Sequence, residues 1–210
     1  MKRNKTVKSL VGLAFSAGLL VSSAAFAQLV SVSSIVEPPA LDSVRDGIKQ
    51  ALADAGYTEE NGLKWQFQTA QGNTATAAQI ARKYVGDKSD VIVGISTPSA
   101  QAIVAATKSI PVVYSAVTDP VAAQLVPSWD PSNTNVAGVS DMLALEKQLE
   151  LIKTIVPEAK TVGMVYNPGE ANSVVVVERL RELLAANDMN LLEATAARTV
   201  DVGAAARSLV

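Results

Sequence analysis

The stretch Asp90–Ala106 (DVIVGISTPSAQAIVAA) constrains the fold more than any other part of the chain. A short apolar run, Val91, Ile92, Val93 and Ile95, follows a charged segment, as expected of a strand buried on both faces of a parallel sheet. The run stops at Ser96-Thr97-Pro98-Ser99 and gives way to Ala-rich, helix-compatible sequence. Thr97 is suited to cap that helix, and Pro98 to take its first position, where a missing N–H costs nothing. A strand that ends in hydroxyls and runs into a helix N-terminus is suited to an anion. Unpaired backbone N–H groups and the positive end of the helix dipole converge there.

The same strand–loop–helix unit recurs along the chain. Leu29–Val36 reads as a first strand, and Glu37-Pro38-Pro39-Ala40 as a stiff loop. Leu41, Val44, Ile48, Leu52 and Ala55 follow at helical spacing up to Gly56. Leu63, Trp65 and Phe67 alternate as a second strand whose aromatics belong to a core, and a helix is expected over roughly 74–85. Pro111–Val117 reads as a fourth strand, ending in Thr118-Asp119-Pro120, again a cap residue with proline opening a helix. Val136–Val139 is a short strand. The helix after it carries Leu145, Leu149, Ile152 and Val156 on one face, and Pro157 closes it. A strand over 161–166, a helix to about Ala186, a strand near Leu191–Ala194 and the start of a helix at Asp201 complete the pattern. Alternation of strand and helix without hairpin signals means crossovers and parallel sheets.

Turn-rich Ser128–Asn135 (SWDPSNTN) interrupts this texture and reads as a surface loop or linker, so two lobes are expected, 28–135 and 136–210. The second, with two strands, is expected to be incomplete. An apolar helix end on Ser208-Leu209-Val210, with no cap, suggests a C-terminally truncated or partial chain.

Residues 1–27 read as a cleavable signal peptide. Lys2, Arg3, Lys5 and Lys8 form a basic start, Leu10–Val21 a short apolar core, and Ala25-Phe26-Ala27 a small-x-small cleavage site before Gln28. That segment is too short and wrongly flanked to span a membrane, and no cysteine follows it to carry a lipid anchor. An exported, periplasmic protein is expected. The whole chain carries a net charge of −2, and the leader holds only basic residues, so the remainder is more acidic and a poor partner for nucleic acid. With no Cys and no His, the chain lacks disulfides, thiol nucleophiles, histidine acid–base catalysis and most zinc or copper sites. No phosphate-cradling glycine loop is present either, since Gly94-Ile95-Ser96-Thr97-Pro98 lacks the required glycines and lysine. No cofactor is implied.

In open α/β sheets ligands sit at the carboxyl ends of strands. Four polar loops qualify: Ser33–Pro39, Ser96–Ser99, Ser115–Asp119 and Asn167–Ser173. Taken singly, Thr97, Ser99 and Asp119 serve equally well as helix caps, and Glu37 as a solvated loop charge. Capping does not account for Glu37 or Glu170, however. Together the loops suit a zwitterion: hydroxyls and backbone N–H groups for a carboxylate, and Asp119, Glu37 or Glu170 for an ammonium group. The candidate ligand-binding residues are Glu37, Ser96, Thr97, Ser99, Ser115, Thr118, Asp119, Asn167, Glu170 and Asn172.

The runs PALDSVRDGIKQALADAGY (39–57), AQGNTATAAQIARK (70–83), STPSAQA (96–102), IPVVYSAVTDPVAAQLV (110–126), NVAGVSDMLALEKQLELIKTIVP (135–157) and YNPGEANS (166–173) resemble the periplasmic substrate-binding proteins of ABC transporters. Within them the resemblance is to the type whose members bind aromatic amino acids such as tryptophan. It implies a type I periplasmic-binding-protein fold, two Rossmann-like lobes hinged around a cleft, with Asn167, Glu170 and Asn172 facing the first-lobe loops. It also implies a monomeric, non-enzymatic capture subunit that delivers a small solute to an inner-membrane ABC permease, binding being coupled to lobe closure. A periplasmic ligand-sensing module for a membrane receptor and an exported carboxylate-based enzyme are the alternatives.

Overall fold

The computed structural model of the chain describes residues 28–131 and 133–210; the expected signal peptide lies outside the described residues. Five parallel strands form the first sheet: β1 (Gln28–Ser34), β2 (Leu63–Thr69), β3 (Val91–Ile95), β4 (Val112–Val117) and β5 (Val136–Ser140), in the order β2-β1-β3-β4-β5. Helix α1 (Pro39–Asp54) covers one face, setting Leu41, Val44, Ile48 and Leu52 against Val30, Val32, Val93 and Ile95. Trp65 and Phe67 join that core. Helices α2 (Thr74–Gly86) and α3 (Thr97–Ala106) cover the other face, where Ile80, Tyr84, Ile92, Ile103 and Val112 pack together. Both faces of the sheet are therefore apolar, which is why β3 reads as a continuous apolar run rather than an alternating one.

A chain of polar groups inside this core is paired. Tyr84 donates its hydroxyl to the Val32 carbonyl at 2.8 Å, and burial pushes its phenol up. Ser89 donates to the Tyr84 carbonyl, Ser31 to Ser89, and Gln66 to Ser31. The same Gln66 amide reaches Asp87 at 3.2 Å beside Lys83, tying the end of α2 to β2. These hydrogen bonds, that from Lys83 first, hold the Asp87 carboxyl below its usual range.

The second sheet pairs β6 (Thr161–Tyr166) with β7 (Asn190–Thr195) in parallel. Helices α4 (Leu145–Ile155) and α5 (Ala171–Ala185) pack on it through Leu149, Val162, Leu180, Leu184 and Met189. On its other side lie α6 (Val202–Arg207) and the following Leu209, whose Cδ1 would come within 3.3 Å of a Cβ at Gly163.

Three local features differ from the sequence reading. Strand β5, expected to open the second lobe, is the edge strand of the first sheet, paired with β4 through Val112 and Val136. The first sheet thus runs five residues past the expected boundary at residue 135, to Ser140. Pairing with β4 hides the inner edge of β5, and the short run of apolar residues did not show which sheet it would join. The segment after Asp119 forms a turn rather than a helix: Ala123 N–H meets the Asp119 carbonyl and Leu125 N–H the Pro120 carbonyl. Gln124, at φ 58°, then reverses the chain, and Pro127 disfavours helical backbone at Val126. At α3 the cap position falls on Ser96, not Thr97. Ser96 has φ 76° and ψ 158° and makes no side-chain cap hydrogen bond, so Thr97 and Pro98 lie inside the first turn.

The β3–α3 junction is close-packed. A Cβ at Gly94 would lie 2.7 Å from the Ala100 Cα and 2.9 Å from its N, contacts with backbone that cannot yield cheaply. Gly94→Ala is expected to cost about 1–3 kcal/mol of unfolding free energy, measured by urea denaturation. For Asp87 the depressed folded-state pKa means that its contribution is complete above the unfolded aspartate value, about 3.9. That contribution disappears as pH falls through the lower folded value. Lys83→Met is expected to move the Asp87 titration up towards the ordinary range in carboxyl NMR and to flatten this part of the stability–pH curve.

Candidate functional site

The carboxyl ends of the strands in both sheets converge on a cleft of about 620 Å³. The first lobe contributes Ile35 and Val36 after β1, Gln71, Gly72 and Thr74 between β2 and α2, and Pro98 at the start of α3. From the second come Val165, Tyr166, Asn167, Glu170 and Ser173 around the β6–α5 loop, with Ala196–Thr199 and Val202 after β7. A second hollow, of about 630 Å³, lies along the β4–β5 edge beside Trp129 and Pro131. It includes Pro111 and Asn135, at the opposite, N-terminal ends of the strands, away from the convergent polar loops.

Behind the first-lobe wall, on either side of the cleft residue Pro98 and at the end of β1, lie polar atoms with no partner among the described residues. Ser33 is 1% exposed and Ser99 0%, yet neither hydroxyl makes a hydrogen bond, and the buried Ser96 Oγ is likewise unpaired. All three lie where β1 and β3 end and α3 begins, beside unpaired N–H groups of the helix. Leaving buried hydroxyls unsatisfied costs free energy, as does the backbone at Ser96, whose φ/ψ pair lies in a region other residues leave to glycine. In the second lobe Asn172 Oδ1, next to the cleft residues Glu170 and Ser173, is likewise unpaired.

Around it, Asn167 and Asn172 both donate side-chain N–H to Glu170, to Oε1 at 2.9 Å and Oε2 at 3.5 Å. Asn167 Oδ1 accepts from Gly169 N–H at 3.0 Å, which fixes the orientation of the asparagine. Glu170 occupies the cap position of α5 but makes no cap hydrogen bond, so its carboxylate is held at the cleft by the two asparagines.

The remaining expected residues have other engagements. Thr97 is buried in the first turn of α3. The Ser115 carbonyl accepts from Ser96 N–H at 2.9 Å, and the Thr118 carbonyl from Ser140 Oγ at 2.7 Å, so both brace the loops rather than line the cleft. Glu37 is 3.6 Å from Arg45, which also meets Asp42 and Asp46 and lies over the Phe67 ring. Asp119 accepts from the N–H groups of Val121 and Ala122 at 3.0 and 2.9 Å. Neither Glu37 nor Asp119 lines the cleft.

Among the cleft residues not singled out from the sequence are Tyr166 and Arg198. Tyr166 ends β6 and donates to Glu193 at 3.2 Å; burial, then that hydrogen bond, push its phenol up. Arg198 follows β7 and holds both oxygens of Asp201 at 2.9 Å, keeping the Asp201 carboxyl below its usual range. Both obey the strand-end rule that marked the other loops, applied to strands that were themselves legible. The resulting cleft sets the start of α3 at Pro98, with orphaned hydroxyls packed behind it, opposite a single carboxylate, Glu170, flanked by Ile35, Val36, Val165 and Val202. Such a surface can hold a small zwitterion with an apolar side chain. Among the described residues no cluster of acidic residues could hold a metal ion, and no helix is long and apolar enough to cross a membrane.

The sequence model of the family described as ABC transporter substrate binding protein matches residues 29–210. A tyrosine-binding protein of Clostridioides difficile (strain R20291) is 44% identical over 181 residues, 86% of this chain and 52% of that protein. The chain thus spans about half the length of the curated relative it matches. Among solved structures, an ABC domain from Streptococcus pneumonia in complex with L-Trp overlays with a TM-score of 0.83 at 32% identity, covering 87% of this chain and 61% of that one. The ligand-free, open structure of a substrate binding protein with adhesive properties from Clostridium difficile overlays with a TM-score of 0.65 at 42% identity, covering 87% and 62%. Solved binding proteins at only 14% and 15% identity share the fold, with TM-scores of 0.65 and 0.61. The architecture is the type I periplasmic-binding fold, and the chain belongs to the ABC transporter substrate-binding protein family.

Proposed function

We propose that the protein captures an amino acid with an aromatic side chain in the inter-lobe cleft and delivers it, as a monomer outside the cytoplasmic membrane, to an ABC permease. It binds its solute without turning it over. The observation that carries this reading is the set of buried hydroxyls without partners, Ser33 near the end of β1 and Ser96 and Ser99 at the N-terminus of α3, on either side of the cleft residue Pro98. A carboxylate placed there would accept from hydroxyls and backbone N–H groups together, and its charge would meet the positive end of the helix dipole. Across the cleft Glu170, fixed by Asn167 and Asn172, takes the ammonium group. This selects Glu170 over Glu37 and Asp119, whose carboxylates are engaged elsewhere. Ile35, Val36, Pro98, Val165 and Val202 supply apolar surface for the side chain, and Tyr166 an aromatic one. The similarity to a protein named for tyrosine binding and to a structure holding L-Trp supports an aromatic side chain.

Isothermal titration with L-tryptophan, L-tyrosine, L-phenylalanine and L-leucine tests the reading, with the aromatic ligands expected to bind more tightly. A chain that binds none of the four removes the proposed solute class. Ser99→Ala is expected to leave the unliganded melting temperature unchanged or slightly raised, since the hydroxyl it removes is unpartnered. The same variant is expected to weaken ligand binding by about 1.5–3 kcal/mol, the range for a hydrogen bond to a charged group. Glu170→Gln is expected to abolish the preference for L-tryptophan over N-acetyl-L-tryptophan, because the ammonium group loses its counter-charge. A preserved preference would place the ammonium group elsewhere.

A further inference from the structure

We propose that the Asp119–Arg179 ion pair is a strap between the lobes that favours the closed arrangement of the cleft, with Arg179 as a positioning residue for ligand capture. The inference rests on the two-lobed capture reading above. Asp119 follows β4 in the first lobe and Arg179 lies on α5 in the second, with their charged atoms Oδ2 and Nη2 3.6 Å apart. The carboxylate is pre-positioned, because Oδ1 accepts from the Val121 and Ala122 backbone N–H groups and leaves Oδ2 to the arginine. Asp119 is 7% exposed. A carboxylate so far removed from water is stabilised by a nearby cation, and among the described residues Arg179 is its one ion-pair partner.

The placement of the pair couples it to the cleft. Arg179 stands seven residues after Asn172, close to two helical turns, so both project from the same side of α5, roughly 10 Å apart along its axis. Glu170 lines the second-lobe wall of the cleft at the start of that helix and is held there by Asn172. Because α5 moves as one body, a lobe rotation that draws Asn172 away from the first lobe also shifts Arg179 relative to Asp119. Ala171 packs against the first-lobe core from the same end of the helix. The chain, with this pair formed, overlays more closely on the L-Trp-bound relative than on the ligand-free, open one. The arginine is half exposed, at 47%, so salt screens the pair and the strap can open. A strap of this kind enriches the binding-competent arrangement before ligand arrives, and apparent affinity scales with that enriched fraction.

Since the chain has no cysteine, two can be introduced for spin labels, Lys49→Cys in the first lobe and Lys147→Cys in the second. Pulsed electron–electron distance measurements on the full chain without ligand then report the lobe separation directly. The labelled parent is expected to show a short-distance population that declines between about 20 mM and 500 mM salt, a range over which screening becomes short-ranged. Arg179→Gln is expected to shift the distribution to longer distances at every salt concentration and to remove the salt response. Asp119→Asn, which keeps the Oδ1 acceptor and hence the turn, is expected to do the same, while Arg179→Lys restores the salt response. L-tryptophan affinity is expected to fall about 2- to 10-fold in the two charge-removing variants, in proportion to the lost closed fraction. Distance distributions and salt responses unchanged by Arg179→Gln in a chain that melts like the parent would overturn the strap. If L-tryptophan binds none of the variants, nor the parent, the solute reading fails, and the ligand-free distances still decide the strap.

Discussion

The junction between β3 and α3 is the constraint on which the rest of the site depends. Gly94 lets the first turns of α3 approach the sheet to within backbone contact. With the helix set that close, the chain between must turn at Ser96 in a backbone conformation other residues leave to glycine, and the Ser99 side chain is driven into the interior. The helix N-terminus therefore opens at the carboxyl edge of the central strands, beside the ends of β1 and β4. The apolar contacts of α2 and α3 with the sheet, Ile80, Tyr84, Ile92, Ile103 and Val112 among them, hold this arrangement against the cost of the strained turn. The polar chain from Gln66 through Ser31 and Ser89 to Tyr84 satisfies the groups buried behind it.

Seen energetically, the two halves of the molecule differ. The core of the first lobe leaves few polar groups unpaired, whereas the strand ends retain Ser33, Ser96 and Ser99 hydroxyls without partners and, from the other lobe, Asn172 Oδ1. Unsatisfied buried hydroxyls destabilise the free state and are relieved by a ligand that supplies acceptors, and Asn172 Oδ1 by one that supplies a donor, so binding gains from both sides of the difference. Around Glu170, by contrast, the asparagines donate once to each carboxylate oxygen and fix the group before any ligand arrives, leaving further lone pairs for an ammonium group. One wall is incomplete and the other preorganised, a division suited to a ligand with an acceptor at one end and a donor at the other.

Much of this was legible because parallel strands carry their signature locally. The runs VIVGI and TVGMVY, the helical spacing of Leu41, Val44, Ile48 and Leu52, and the halt at Gly56 each follow from periodicities spanning a few residues. The strand-end rule located the Ser96–Ser99 and Asn167–Ser173 loops, and would have located Gln71 and Arg198 had it been extended to β2 and β7. What escaped was decided at a distance. One oxygen of Asp119 meets the nearby N–H groups of Val121 and Ala122, the local cap its sequence allowed. Its ion pair with Arg179, however, comes from the other lobe, as the pairing of Glu37 with Arg45 comes from the body of α1. The strand Val136–Ser140 has no local mark of the sheet it joins; hydrogen bonds to β4 assign it.

Sequence alone determined the alternation of elements, the parallel character of both sheets and the absence of histidine and cysteine chemistry, because these depend on residue type and near-neighbour spacing. Tertiary structure decided which of several equivalent polar groups remain unpartnered beside the cleft. It also turned one wall's hydroxyls inward and tied Asp119 to Arg179 on the opposite lobe. Whether a hydroxyl or carboxylate is free for a ligand depends on what lies within about 3.5 Å of it, and those neighbours come from distant parts of the chain.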